Sequence, residues 1–154
     1  LVGSEMCIRD SDRTAKLINR CYTLDEYDKT MNNLKRLDVH VVVHMIIGLP
    51  GETKQDMIST VRYIADSGAN GIKIRLLHVL KNTVLEKMYI NGEFDVLTFE
   101  EYADILCDCL MELPPDMVVH RFTGDGPKKI LVAPMWSADK KMVLNRLNRI
   151  VSDL

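Results

Sequence analysis

The sequence predicts an α/β fold built on a parallel, barrel-like sheet, and three observations lead there. Helical and strand-like segments alternate along the chain, which is the signature of parallel βα units. Two strand-like runs, VHVVVHMII from Val39 and GIKIRLLHV from Gly71, each split into an apolar face and a face carrying His, Lys or Arg. The chain has 154 residues, enough for one domain with a real core.

The elements follow in order. Helices are expected near 12–20, 24–37, 54–67, 84–91, 99–112 and 138–152. Four of them are announced by a hydroxyl residue with an acid three positions on: Thr23/Glu26, Thr53/Asp56, Thr83/Glu86 and Thr98/Glu101. In such a capping box the hydroxyl and the acid satisfy orphan backbone donors of the first turn, and Asp56 is a looser match than Glu. Strands are expected near 39–47, 71–78 and 117–122. In the first, Val39, Val41, Val43, Met45 and Ile47 share the face that packs under helices, while His40, Val42, His44 and Ile46 share the other. In the second, Ile72, Ile74 and Leu76 oppose Lys73, Arg75 and Leu77. Polar residues confined to one face of neighbouring parallel strands favour the inside of a barrel, or an open ligand-facing surface, over a doubly wound sheet. The plainer alternative puts Lys73 and Arg75 at an open edge, with their charged heads reaching water.

Composition narrows the function. A formal net charge of −2 gives no strong pull toward nucleic acid, though local contact stays open. No run approaches the length of a membrane span, and the first residues lack the apolar core of a secretory signal. Cys7, Cys21, Cys107 and Cys109 show no secreted framework spacing and read as reduced thiols of a cytoplasmic protein.

Ligands of parallel βα proteins bind at the carboxyl ends of the strands. The stretch VHMIIGLPGET, Val43 to Thr53, is such an end: Gly48 and Gly51 let the backbone turn and approach a ligand, and Pro50 stiffens the turn. The bland reading is a plain strand-to-helix turn. It is not a phosphate P-loop, because no Gly-Lys-Ser/Thr follows. His40 and His44 share a face but stand about 13 Å apart, too far for one metal. His44, nearer the carboxyl end, can hydrogen-bond a ligand; His40 reads as a satisfied core histidine. His78, near the end of the next strand, can flank the same site. In VVHRFTGDGPKK, residues His120, Arg121, Thr123 and Asp125 cluster around Gly124 and Gly126. That is either a donor-rich loop for an anionic substrate or a solvated hairpin.

Four stretches, DRTAKLINRCYTLDEY, VHMIIGLPGET, GIKIRLLHVLKNT and LPPDMVVHRFTGDGPKKILVAPMWS, occur in this order from Asp12 onward. Together they resemble the radical S-adenosylmethionine (radical SAM) proteins, within them the YhcC/YtqA-type bacterial group, related to the catalytic subunit of Elongator. The resemblance implies the C-terminal part of a partial (β/α)6 barrel over residues 12–95 and a small α/β extension over 96–154. Residues 1–11, LVGSEMCIRDS, look like translated sequencing adapter and are set aside from functional reasoning. By the resemblance, Ile46, Gly48 and Glu52 line the S-adenosylmethionine pocket, His44 lies near the ribose, His78 near the adenine, and Arg20 at the carboxylate. Lys73, Arg75, His120, Arg121 and Asp125 are candidate substrate contacts.

The family holds a [4Fe–4S] cluster through Cys-x3-Cys-x2-Cys, and that spacing does not occur here. The resemblance therefore implies a C-terminal fragment, inactive alone, of an enzyme that reductively cleaves S-adenosylmethionine to start radical chemistry. An electron donor for the cluster and, by analogy, tRNA or another RNA as substrate come with it. Two alternatives stand beside it: another (β/α)-barrel enzyme fragment using His44 and His78 as acid and base, or a non-enzymatic module gripping an anionic partner such as RNA with HRFTGDGPKK.

Overall fold

The computed structural model describes residues 3–7 (backbone), 23–124 and 126–154. The expected helix at 12–20, Arg20 and Asp125 lie outside them. The elements run β1 (Gly3–Cys7), α1 (Leu24–Arg36), β2 (His40–Ile47), α2 (Lys54–Asp66), β3 (Gly71–Leu76), β4 (Val79–Leu80), α3 (Val84–Ile90), α4 (Phe99–Met111), β5 (Val118–Arg121), β6 (Leu131–Ala133) and α5 (Lys140–Ser152). A four-stranded sheet has the order β1-β2-β3-β5, parallel at every pairing, and β4 and β6 form a small antiparallel pair.

The helices begin where local chemistry says they should. Thr23, Thr53 and Thr98 each accept from the backbone N–H three residues on, while Glu26, Asp56 and Glu101 accept from the cap's own N–H. Each such cap contributes about 1 kcal/mol. At Thr83 only half of the box forms. Its hydroxyl accepts from Glu86 N, but the Glu86 carboxylate accepts from Asn82 N–H at 2.7 Å. Asn82 has φ +64°, which carries its N–H within reach.

The split of β2 into two faces is observed. Val41, Val43, Met45 and Ile47 are buried, while Val42, His44 and Ile46 are half-buried. They pack with Ile72, Ile74 and Leu76 of β3, with Met57, Val61 and Ile64 of α2, and with Tyr102 and Leu106 of α4 in a single core. Val143 and Leu147 of α5 join the same core, so residues before and after position 95 share one apolar interior. Asn70 stitches the amino ends of the strands together. Its side-chain oxygen accepts from Val41 N–H, its own N–H donates to Val41 O, and its carbonyl accepts from Val118 N–H.

Three expectations change. His40 is exposed rather than a core histidine, because it stands at the amino end of β2 and lines a groove there. The edge alternative fails for Lys73, which is paired with both His44 of β2 and Arg121 of β5, whereas Arg75 is paired with Ile46 of β2 and lies beyond the pairing with β5. The second strand ends at Leu76 rather than residue 78: Leu77 N–H still donates to Ile47 O, but Val79 and Leu80 leave to pair with β6. The short strands β1, β4 and β6 were not expected.

Candidate functional site: the carboxyl edge of β2 and β3

At the end of β2 the backbone turns through Gly48 at φ +90° and Gly51 at φ +78°, a region where other residues are strained. Space matters too. A Cβ on Gly48 would lie 3.1 Å from Leu97 Cδ1. Leu97 is held in turn: its carbonyl accepts from Trp136 Nε1–H at 2.9 Å, and Trp136 meets Phe99 edge-on, ring centroids 5.3 Å apart. The turn is therefore braced by side chains far away in sequence. Nothing local in VHMIIGLPGET announces Leu97 or Trp136; the apolar Phe99 and the single tryptophan were the only signals.

The parallel register aligns the open face in rows. Val42 is level with Gly71, His44 with Lys73, and Ile46 with Arg75. Four polar side-chain atoms around this edge are sealed from solvent: His44 Nε2, Glu52 Oε1, Arg75 Nε and His78 Nε2. The segment after β5 closes over two of these residues. A Cβ on Gly124 would lie 3.5 Å from His78 Cε1 and 3.7 Å from Arg75 Cβ, and one on Gly126 only 2.8 Å from His78 Cδ2. The two glycines let the loop come down onto His78 and the stem of Arg75. Tyr102 anchors it by donating to Phe122 O at 2.9 Å.

This geometry removes the hairpin reading of VVHRFTGDGPKK. β5 pairs parallel with β3 and β6 pairs with β4, so the loop joins two sheets instead of doubling back. It also separates residues that sequence had grouped. His78 meets Gly124 and Gly126 and Arg75 meets Gly124, whereas His44 sits lower, level with Lys73. Arg121 is exposed beside Lys73 across a register shift. His120 goes to the opposite end. Its ring lies 2.8 Å from where Gly71 would carry a Cβ, and it lines, with His40, Asn70 and Asp116, a groove of about 640 Å³ at the amino ends of the strands.

The residues fit the two implied cofactors unequally. A bare glycine turn beside sealed polar atoms suits a nucleoside with donors and acceptors on its rim. For an iron–sulfur cluster the described residues offer no ligand set. Among the described residues no three His, Cys, Asp or Glu side chains converge, and Cys107 and Cys109 lie on α4. Burial pushes the Cys109 thiol up to about 12, the opposite of what a thiolate ligand needs.

Comparison with known proteins gives the family. Residues 9–64 match the family model described as the Radical SAM superfamily, and residues 69–152 match the Radical_SAM C-terminal domain. The chain is 42% identical to YtqA of Bacillus subtilis (strain 168), covering 90% of this chain and 43% of that protein. A tRNA-2-methylthio-N(6)-dimethylallyladenosine synthase of Buchnera aphidicola subsp. Cinara cedri is 35% identical over 36% of this chain and 13% of its own length. Elp3 of Methanocaldococcus infernus shares the fold at a TM-score of 0.75 and 20% identity, covering 92% of this chain and 34% of the Elp3 chain. The chain thus spans less than half the length of these relatives. With both family models matched end to end along one continuous sheet and core, the chain belongs to the radical SAM superfamily.

Proposed function

We propose that the whole protein is a radical SAM enzyme of the cytoplasm, and that this chain supplies the S-adenosylmethionine-facing edge of its barrel. The observation that carries this reading is the turn after β2, where Gly48 at φ +90° leaves bare backbone beside the sealed carboxylate oxygen of Glu52. In this reading Ile46 packs against the adenosine, and Gly48 gives it room. His44 reaches the ribose, His78 lies beside the adenine, and Arg20 holds the cofactor's carboxylate through paired hydrogen bonds. Bound with a [4Fe–4S] cluster, S-adenosylmethionine supplies a one-electron reductive cleavage that starts radical chemistry on the substrate. The contribution of this chain is to orient the nucleoside and exclude water. No step through the cluster is assigned to its residues, because the sequence carries no Cys-x3-Cys-x2-Cys. An RNA substrate is supported by the synthase relative, whose name places its chemistry on tRNA.

The test separates the two halves of the reading. After anaerobic treatment with iron and sulfide, this chain should retain no cluster, yet equilibrium dialysis should still show saturable S-adenosylmethionine binding. A Gly48→Val substitution should weaken that binding. Four irons per chain, or no binding at all, overturns the proposal.

A further inference from the structure

Arg75 has no role in the cofactor contacts proposed above, yet its position is costly. It stands on β3 level with Ile46 of β2, beyond the end of the pairing with β5, and its Nε is sealed from solvent. Among the described residues that N–H finds no acceptor, and none of the ion pairs includes Arg75. A buried donor left without an acceptor forfeits its hydration with no return, and native proteins keep few of them. Leu or Met would fill this space without that cost. The loop above tightens the problem. Gly124 passes close to His78 and to the Cβ and Cγ of Arg75, covering the arginine stem. Lys73, two residues earlier on the same face, adds a second cation.

We propose that the open face of the sheet carries an oxyanion subsite centred on Arg75, whose stem is covered by Gly124 and which is flanked by His78. The planar fork of the guanidinium, with its orphaned Nε–H, is built to take two oxygens of one phosphate or carboxylate. The site adds a ligand group to the pocket proposed above. It rests on that reading only for the molecule to which the anion belongs, namely the substrate rather than the nucleoside cofactor.

Titration of inorganic phosphate, and separately of acetate, into the chain without S-adenosylmethionine tests it. The signal followed is the Arg75 Nε–H resonance, assigned by its loss in Arg75→Met. A saturable shift with at least one of the two anions is expected, with chloride at matched ionic strength having no effect. Phosphate alone acting identifies a phosphate subsite, and acetate alone a carboxylate subsite. The thermal midpoint gives the second readout. The wild type should gain more from the effective anion over chloride than Arg75→Met does, while Arg75→Met in chloride should melt at or above the wild type. An Nε–H resonance unmoved by both anions, or the same anion increment in wild type and variant, overturns the subsite. Because no S-adenosylmethionine is present, either result leaves the cofactor reading to its own test.

Discussion

Val43 and His44 are neighbours in sequence with opposite surroundings. Val43 is fully buried against the helices, and His44 is half-buried on the open face, level with Lys73. Val43→Asp places a charge where no partner can reach it, and should cost about 3–5 kcal/mol, enough to unfold a domain of ordinary stability. His44→Ala removes a side chain from a surface already partly wet and should cost about 1 kcal/mol. Urea unfolding of both variants checks this, and equal losses would mean that the face assignment is wrong. The alternation is a period-two pattern of Val, Met and Ile against His, so sequence alone reveals it. What sequence could not reveal at this scale is how far each polar residue stands from the mouth. That depends on register, and register sent His120 to the amino end while bringing Gly124 onto His78.

At the scale of elements, α2 and α4 are pinned across the outer surface by charge. Arg62 makes two hydrogen bonds to the Glu112 carboxylate, at 2.8 and 2.7 Å, and Lys54 reaches both Asp104 and Asp108. These pairs are solvent-exposed, so each is worth little alone and is weakened by salt. They do leave a signature in pH. Hydrogen bonding to Arg62 holds the Glu112 carboxyl below its ordinary value. A carboxyl lowered in the folded state gives stability that is fully present above its unfolded value and is lost as pH falls through its folded value. Thermal midpoints measured from neutral pH down through the carboxylate range should therefore fall less steeply in Arg62→Gln than in the wild type. An identical pH dependence in the two proteins would show that the pair contributes nothing to folding. The helix starts were legible because a cap is a contact between residues three apart. The two- and three-residue strands β4 and β6 were not, since each exists only because the other, some fifty residues away, supplies its hydrogen bonds.

For the whole molecule, the decisive feature is that the later residues are part of the earlier site. Phe99 and Trp136 fix Leu97, which lies against Gly48; Tyr102 fixes the loop that covers Arg75 and His78. The alternation of helices and strands announced the parallel sheet, and the glycines announced the turn that ends β2. The bracing contacts stayed hidden because they join residues remote in sequence through ordinary apolar side chains. The central claim is that S-adenosylmethionine meets this chain at the carboxyl edge of β2. The most direct measurement is an amide NMR titration of the chain with S-adenosylmethionine. The account predicts saturable shifts at Ile46, Gly48, Glu52 and His78, with little change at Asn70 and Asp116 around the groove at the opposite end. Shifts confined to that groove, or none at the β2 edge, would contradict it.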